Sequence, residues 1–406
     1  MKILFVPKEF PHAKVIGGPI LVYNRIKYLS KNHQVGLATF MREEDKKYLP
    51  TIEPYLFEIE TIHYPPKRSR FRKMYDFFFS PVPNYLCNTK SKQMSQKVAE
   101  MTHRSDYDVV VAEYSVMGQY LYKNMGINPK TKRIVSCHES YSYARHKVLK
   151  TYGLFSKKGF SALLDMYRLK KYEISMYKNA DLVLTLTEEE KARLLKHDPE
   201  LRIEVVPHGT DTDFFYFAPI YEREQCVAYL GNYQHDPNRD AVIYFINEIW
   251  PKVKRAIPGI KFYVIGRKPT KDMMKASKID SEIIITDELE DVREYLKRAR
   301  VFIAPIRLGG GFRGKILEAM SMGIPIVATS IASEGLTASN NENIMIADDP
   351  ENFVENITLL FRDEKKYKFF SENSRRIVEE NYSYKKVVEK LENVIKKVVQ
   401  QSTHDK

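Results

Sequence analysis

The feature that most constrains the fold is an apolar run followed by a glycine-rich loop and a short helical pattern. Residues 301–306 are apolar and rich in branched side chains, which predicts a buried strand. Three glycines follow at 309–311, and residues 315–322 then have the pattern of a helix. A strand that passes through glycines into a helix is typical of open parallel sheets, so the sequence predicts an α/β fold with a doubly wound parallel sheet.

The same loop has the composition of an anion-binding site. Gly309, Gly310 and Gly311 allow backbone amides to approach a ligand closely, and the following helix directs the positive end of its dipole to the same point. Arg313 and Lys315 add two positive charges there. The alternative is an ordinary strand-to-helix turn with two solvated cations, and the glycines alone do not decide between the two interpretations.

Two neighbouring residues extend the predicted site. Glu318 lies one turn into the helix, where its carboxylate can accept hydrogen bonds from ribose hydroxyls. Phe312, between the glycines and the cations, is assigned to donor binding together with them. The stretch 308–329 therefore predicts a site for a diphosphate that carries a sugar on each side, which is a nucleotide sugar.

Strand and helix patterns alternate along the chain. Apolar runs predict strands at 2–7, 34–40, 108–112, 132–137 and 182–186, and then at 226–231, 261–265, 283–285, 301–304, 324–328 and 344–346. Helical patterns lie between or after them, including 20–32 and 188–196, the second with Thr187 as its predicted cap. The alternation predicts two separate parallel sheets, and a length of 406 residues fits two domains better than one.

Several motifs, in the order in which they occur, resemble those of the retaining glycosyltransferases of the GT-B fold. The residues that carry this resemblance are 172–173, 180–187, 206–214, 229–232, 236–238, 264–267, 317–320, 323–329 and 334–336. The loop pattern Gly-Gly-Gly-x-Arg-x-Lys is similar to that of one subgroup of the group 1, or family 4-like, enzymes that build surface polysaccharides and other glycans.

The resemblance implies two Rossmann-like domains that face a central cleft. Residues 1–205 would form the acceptor-binding domain and residues 206–383 the domain that binds the nucleotide-sugar donor. A terminal helix over 384–399 would pack back on the first domain.

The implied reaction is transfer of a sugar from a nucleoside-diphosphate sugar to a glycan, a lipid-linked acceptor or another hydroxyl, with retention at the anomeric carbon. In this interpretation Arg313 and Lys315 are catalytic because they neutralise the leaving diphosphate, so no metal or other cofactor is expected. Two alternatives stay open: a nucleotide-sugar epimerase of the same fold, and a non-catalytic partner in glycan assembly. The second is suggested by Gly310, which stands where many members carry a glutamate that contacts the donor sugar.

Four further residues are site candidates through the resemblance. Gly17 and Gly18 follow the first strand, where the family brings backbone close to the donor phosphate and the acceptor, and a plain tight turn is the alternative. His138 lies at the carboxyl end of a predicted strand, where parallel sheets bind ligands and where members often place a histidine near the donor sugar. Arg267 follows a strand of the second half and either lines the nucleotide base or ribose or is solvated.

Asp211 and Asp213 form an Asp-x-Asp pair, the pattern with which another fold of glycosyltransferases binds a divalent metal. Here the pair lies beside Pro207 and Gly209 in the predicted crossover between domains. Turn capping is therefore the favoured interpretation, and no metal site is predicted.

The chain is basic, with a formal net charge of +13 at pH 7. No recognition helix, zinc finger or RNA-binding aromatic motif accompanies that charge, so nucleic acid is not expected as a partner. An anionic membrane surface or a phosphate-linked acceptor would explain the charge equally well. The basic residues are most concentrated at 67–73, directly before the aromatic residues of 74–79. Either segment 67–79 rests on lipid headgroups, or Phe77, Phe78 and Phe79 pack in the core beside solvated cations.

The sequence predicts a cytoplasmic protein, with peripheral contact on the inner face of the cell membrane left open. Cys87, Cys137 and Cys226 are widely separated and odd in number, which fits free thiols in a reducing compartment. No secretory leader pattern is present, and no apolar run reaches the roughly 18 residues that a membrane-spanning helix needs.

Overall fold

A computed structural model describes residues 1–13, 18–80, 82–220, 223–309, 312–337 and 340–401. Gly17, Gly310 and Gly311 of the predicted site therefore lie outside the described residues. The chain divides into two compact units, the first from Met1–Pro207 together with the chain from Val387 onward, and the second from His208–Lys386. Each unit is built around its own parallel sheet.

The first unit contains a seven-stranded parallel sheet within the part of the chain that is described. Its strands are β1 (Lys2–Pro7), β2 (Gln34–Met41), β3 (Glu58–His63), β4 (Val109–Glu113), β5 (Lys132–Cys137), β6 (Leu182–Thr185) and β7 (Ile203–Val205). Its helices are α1 (Gly18–Leu29), α2 (Arg70–Phe79), α3 (Lys92–Arg104), α4 (Tyr141–Tyr152), α5 (Lys157–Lys178) and α6 (Glu188–His197). The order across the sheet is β3-β2-β1-β4-β5-β6-β7, so the direction of winding reverses between β1 and β4.

The second unit has a six-stranded parallel sheet in the order β10-β9-β8-β11-β12-β13 over its described residues. The strands are β8 (Cys226–Asn232), β9 (Lys261–Arg267), β10 (Ile283–Ile285), β11 (Val301–Ala304), β12 (Ile326–Ala328) and β13 (Met345–Ile346). The helices are α7 (Asp236–Tyr244), α8 (Trp250–Ala256), α9 (Lys271–Ile279), α10 (Arg293–Leu296), α11 (Gly314–Ser321), α12 (Ser330–Ser333), α13 (Pro350–Arg362) and α14 (Glu364–Asn381). The last helix, α15 (Tyr384–Gln400), begins in the second unit and belongs to the first unit from Val387 onward. The reversal of winding falls here between β8 and β11.

The terminal helix α15 packs in the core of the first unit from Val387 onward. Leu391 and Ile395 are fully buried in the same apolar cluster as Ile3 and Phe5 of β1. The spacing of four residues places these side chains on one face of the helix, which is the face that the first unit covers.

The predicted sheets are confirmed as parallel and doubly wound, but the sequence analysis missed two strands. Strand β3 lies at the edge of its sheet, and only Ile62 along it is buried, so no continuous apolar run marks it. Strand β7 has three residues with the exposed Glu204 at its centre, so it forms no apolar run. The predicted cap of α6 is confirmed, because the Thr187 hydroxyl accepts a hydrogen bond from the backbone amide of Glu190 at 3.0 Å.

Candidate functional site

The glycine-rich loop lies at the point where the winding of the second sheet reverses. It leaves the carboxyl end of β11 and enters α11, and β11 is paired with β8, whose carboxyl end leads into α7. Gly309 has a φ of 84°, and a Cβ there would lie 3.0 Å from Cγ of Pro237 in the first turn of α7. The positive φ strains any other residue at this position, and the short distance to Pro237 leaves little room for a side chain. Ligands of open parallel sheets bind at this kind of crevice.

Lys315, in the first turn of α11, is bonded to two neutral groups. Its Nζ donates a hydrogen bond to Oδ1 of Asn238 at 2.6 Å and another to the hydroxyl of Tyr229 at 3.1 Å. Asn238 is fixed in turn, since its Nδ2 donates to the carbonyl of Asn232 at 2.9 Å. No acidic side chain in the described part of the chain lies within salt-bridge distance of Lys315. An ammonium group has three protons, so one remains for an external acceptor.

Both titratable groups of α11 have strongly shifted pKa values. Burial, with the positive charge of Arg313 beside it, lowers the pKa of Lys315 to about 7, although Glu318 acts in the opposite direction. Burial also raises the pKa of Glu318 to about 7, and the charge of Lys315 opposes that rise. Displaced pKa values in a crevice are typical of functional sites, because a ligand can then decide the charge of the group.

Phe312 supports the loop from the side of His208. The two rings are stacked with their centroids 5.6 Å apart and their planes 7° apart. His208 also lies against the start of α11, since a Cβ at Gly314 would be 3.5 Å from Cε1 of that histidine. The sequence analysis did not consider His208, and only its place in the motif 206–214 could have drawn attention to it.

Arg267 ends β9 and lies opposite Asn232 of β8 in the sheet register. This position puts its backbone at the same edge of the sheet as the loop. Its Nη1 is 3.6 Å from Oε1 of Glu288, and the side chain of Arg267 is 42% exposed. The two side chains therefore form an ion pair at the surface.

The Asp-x-Asp pair caps a turn. Oδ1 of Asp211 accepts hydrogen bonds from the backbone amides of Asp213 at 3.1 Å and Phe214 at 2.9 Å. This arrangement is the one favoured by the sequence analysis. Over the described ranges, no group of three or more His, Cys, Asp or Glu side chains is arranged to bind a metal ion.

In the first unit, His138 is bonded to a buried ion pair. Nε2 of His138 lies 2.8 Å from Oε2 of Glu113, and Oε1 of Glu113 accepts a hydrogen bond from Nη1 of Arg25 at 2.7 Å. The side chains of Arg25 and Glu113 are both 0% exposed. Burial opposes ionisation of Glu113, but Arg25 and His138 outweigh it and lower the pKa of the carboxyl to about 2.

The environment of His138 determines its protonation state, and the ion pair determines its tautomer. Burial lowers the pKa of His138 despite the neighbouring carboxylate, so its imidazole is neutral near pH 7. Because ionised Glu113 can only accept, the proton of the neutral ring must be on Nε2, which leaves Nδ1 as an acceptor. Glu113 and Arg25 are therefore positioning residues for His138.

Tyr114 joins His138 to Gly18. Tyr114 has a φ of 74°, a conformation that costs a residue other than glycine about 1–3 kcal/mol. Its ring centroid is 4.0 Å from that of His138, and a Cβ at Gly18 would lie 1.7 Å from its hydroxyl oxygen. A side chain at Gly18 would therefore collide with the ring of Tyr114, so the position requires glycine for packing within the first unit.

The structure brings the predicted residues together in two groups. Gly309, Phe312, Arg313, Lys315 and Glu318 share one loop and helix of the second unit. Gly18 and His138 lie on either side of Tyr114 in the first unit. The sequence analysis missed Glu113, Arg25 and Tyr114, although a glutamate at the end of the apolar strand β4 is a signal that could have identified Glu113.

Two family models match the chain. The model described as Glycosyltransferase Family 4 matches residues 16–214, and the model described as Glycosyl transferases group 1 matches residues 224–363. The chain belongs to the family 4, group 1 glycosyltransferases and is an enzyme. Among curated proteins, it is 24% identical over 406 residues to an uncharacterized 44.6 kDa protein in the cps region of Klebsiella pneumoniae, covering 95% of this chain and 97% of that protein. It is also 25% identical over 114 residues to an uncharacterized glycosyltransferase of Methanocaldococcus jannaschii, which covers 28% of this chain and 29% of that one.

Solved structures show the same fold. Sucrose-phosphate synthase from Thermosynechococcus elongatus superposes with a TM-score of 0.68 at 15% identity, covering 98% of this chain and 99% of that chain. HepE from Anabaena in complex with UDP superposes with a TM-score of 0.70 at 14% identity, covering 98% and 100%. The architecture is that of the GT-B glycosyltransferases, which confirms the fold expected from the sequence.

Proposed function

We propose that this glycosyltransferase moves a hexose from a nucleoside-diphosphate sugar to a hydroxyl of a glycan or lipid-linked acceptor, with retention at the anomeric carbon and without a metal ion. The synthesis of surface polysaccharide is the proposed context, supported by the relative in the cps region of Klebsiella pneumoniae. HepE has been solved with UDP and with UDP-glucose, which supports a uridine nucleotide as the first donor to test.

The observation that carries the proposal is the bonding of Lys315. A half-buried ammonium bonded to Asn238 and Tyr229, rather than to a carboxylate, has its charge available to an external anion. Arg313 lies two residues before it, and the amino terminus of α11 adds the positive end of a helix dipole. A diphosphate is the group of a nucleotide sugar that carries such a charge.

The proposed chemistry uses these groups on the leaving diphosphate. As the bond between the anomeric carbon and the phosphate oxygen lengthens, negative charge accumulates on that oxygen, and Lys315 and Arg313 stabilise it. The acceptor hydroxyl attacks from the face that the phosphate leaves and gives its proton to the departing phosphate oxygen. A new glycosidic bond forms with retained configuration, and no covalent intermediate on the protein is needed.

The remaining predicted residues are proposed to bind the donor. Glu318, whose carboxylate accepts no hydrogen bond from any described residue, is assigned to the ribose hydroxyls. Phe312 and Arg267 are assigned to the nucleotide end, and the loop glycines, with Gly17 and Gly18, to close backbone approach. His138 is assigned to the donor sugar, with its tautomer set by Glu113.

A two-step experiment tests this function. Thermal shift against UDP, GDP and ADP identifies the nucleotide, because a ligand that binds the folded state raises the melting temperature. Incubation of the matching nucleotide sugars with model acceptors, in EDTA, is then followed by NMR at the anomeric proton. A retained glycoside formed in EDTA is the expected result. An inverted product, loss of activity that Mg²⁺ restores, or an epimerised donor in the absence of acceptor would contradict the proposal.

We also propose that the enzyme works in the cytoplasm at the inner face of the membrane, where a lipid-linked acceptor would be presented. No helix in the described part of the chain has the length and apolarity to cross a bilayer. Contact would therefore be made by a surface of the protein.

A further inference from the structure

Helix α2, in the basic and aromatic segment, exposes most of its large apolar side chains. Phe71 is 75% exposed, Phe78 66% and Phe79 72%, and Met74 and Tyr75 are each more than half exposed. The alternative in which Phe78 and Phe79 pack in the core is therefore wrong. Such exposure on one short helix marks an interaction surface rather than scattered surface residues.

The helical hairpin α4–α5 exposes a second set of apolar side chains. Leu154 and Phe155 lie in the turn between the two helices, where Phe155 is 103% exposed and Leu154 is 46% exposed. In α5, Phe160 is 54% exposed, Leu164 44% and Tyr167 74%. The tip of the hairpin and one side of α5 thus present large apolar groups to solvent.

The two apolar sets belong to one surface of the first unit. Arg168 of α5 donates hydrogen bonds to the carbonyls of Phe77 and Ser80 at the carboxyl end of α2. Tyr167 and Leu164 lie one and four residues before Arg168, and Phe78 and Phe79 lie between its two acceptors. We call the exposed residues of α2, α4, α5 and the turn at 153–156 the three-helix face.

All acidic residues of these three helices are buried. Asp76 of α2 is 5% exposed, Asp165 of α5 is 8% exposed and Glu173 of α5 is 2% exposed, and α4 contains no acidic residue. Arg68 and Arg72 both pair with Asp76, so Arg68 is structural and does not belong to the cationic surface. The charges that the three-helix face presents to solvent are therefore positive.

We infer that the three-helix face binds an anionic lipid bilayer, with Phe155 and Phe78 inserted among the acyl chains and the neighbouring cations at the headgroups. Arg70 and Lys73 of α2 and Lys171 of α5 are exposed beside the apolar groups. Cations bordering exposed aromatic and aliphatic side chains match an interface that is negative at the surface and apolar below it. This inference concerns a surface distant in sequence from the loop at 309–315, and it is independent of which sugar is transferred.

A bilayer fits the face better than a second copy of the chain. The same face on a partner copy would place positive charge against positive charge, because the acids of these helices are buried. A helical turn that projects Leu154 and Phe155 at its tip is also suited to insertion into a soft interface rather than to a flat protein contact.

The test is cosedimentation of the full chain with vesicles of phosphatidylcholine alone and of phosphatidylcholine mixed with phosphatidylglycerol. Wild-type protein is expected to sediment with the mixed vesicles and to be released by high salt. The double variant Arg70→Ala/Lys73→Ala is expected to bind them roughly twentyfold more weakly, since each cation near an anionic surface contributes about one factor of five. Phe155→Ser and Phe78→Ser are each expected to weaken binding roughly tenfold.

Matched controls lie on α9 of the second unit. Ile279 is 78% exposed, and Lys275 and Lys278 are exposed cations on the same helix. Ile279→Ser and Lys275→Ala/Lys278→Ala are expected to bind vesicles like the wild type. Equal losses in these controls, or no binding of wild type to mixed vesicles, would overturn the inference. A concentration-dependent dimer that Phe155→Ser abolishes, without vesicle binding, would overturn it in favour of self-association.

The same variants separate this inference from the proposed function. All of them are expected to keep wild-type UDP binding and wild-type transfer to a water-soluble acceptor, because none lies in the nucleotide loop. Vesicle binding without transferase activity would support membrane binding by the three-helix face and contradict the proposed transfer reaction. Transferase activity without vesicle binding would support the proposed transfer reaction and contradict membrane binding by the three-helix face.

Discussion

The two units each place a cation where their sheet reverses its winding, and they neutralise it in opposite ways. In the first unit, Arg25 is wholly buried and pairs with Glu113, so the pair is complete within the protein. In the second unit, Lys315 is only half buried and is bonded to the uncharged Asn238 and Tyr229. The first arrangement neutralises its positive charge within the protein, beside His138, whereas under the proposed function the positive charge of Lys315 is neutralised by the diphosphate of the donor.

The pKa values of Glu113 in the first unit and Lys315 in the second differ in the same way. An ion pair lowers the pKa of Glu113 to about 2, which fixes its charge at any physiological pH. Burial, together with the positive charge of Arg313, lowers the pKa of Lys315 to about 7, so its charge responds to what binds beside it.

The largest effect is expected on stability, from Glu113→Ala. This change leaves Arg25 buried without its counter-charge and should cost about 3–5 kcal/mol of unfolding free energy. Urea unfolding measures it. Glu44→Ala, which removes an acid whose side chain is 72% exposed, should change stability by less than about 0.5 kcal/mol.

Because the folded pKa of Glu113 is depressed, the contribution of the pair to stability is present above about pH 4.5 and is lost as the pH falls toward about 2. Equal stability of the two variants would contradict the structural role of the pair.

The next effect is on catalysis, from Lys315→Ala and Arg313→Ala. Each removes one positive group from the leaving diphosphate and should cost at least about 2 kcal/mol of transition-state stabilisation, or roughly a thirtyfold loss in kcat/KM. Steady-state kinetics with the donor found by thermal shift measure this loss. Urea unfolding should show little change for Lys315→Ala, since no internal ion pair is broken. Near-normal turnover in both variants would refute the assignment.

Asn238→Asp would place a carboxylate beside Lys315, as Glu113 lies beside Arg25 in the first unit. The new carboxylate should pair with Lys315, raise the pKa of that lysine and repel an incoming diphosphate, which lowers UDP affinity roughly tenfold. Calorimetry measures the affinity. Asn352→Asp, at an exposed position of α13, makes the same change in net charge and should bind UDP like wild type. Undiminished binding by Asn238→Asp would mean that Lys315 does not contact the ligand.

The smallest effect is the pH dependence of UDP binding. The folded pKa of Lys315 is lowered to about 7, so the charged lysine predominates below that pH and an anion binds best there. Affinity should therefore fall about fivefold between about pH 7 and about pH 8. Lys315→Arg should remove this dependence, because an arginine stays charged throughout. The measurement is best made in Glu318→Gln, since Glu318 titrates in the same range and its ionisation would also change the binding of an anion. A flat profile in that background would contradict the lowered pKa of Lys315.

In the first sheet the sequence predicted the inner strands better than the edge strands, whereas in the second sheet the edge strand β10 was predicted with its observed bounds. The predicted bounds of the inner strands β5 and β11 match the observed ones, because four consecutive buried residues in each mark the strand. The edge strand β3 has only one buried residue, Ile62, and was missed. The position of the loop between β11 and α11 was predicted because its glycines interrupt an apolar strand before a helical pattern, whereas binding of an anion there stays a prediction.

What the sequence alone determined is which residue types follow each strand: glycines, Arg313, Lys315 and Glu318 after β11, and His138 after β5. What only the tertiary structure decided is which of these charges are satisfied. Lys315 is hydrogen-bonded to Asn238, from which it is separated by 77 positions in the sequence, and Arg25 is hydrogen-bonded to Glu113 at a separation of 88 positions. The physical reason is that burial and pairing set the charge of a side chain, and both depend on neighbours that the fold brings together from distant parts of the chain.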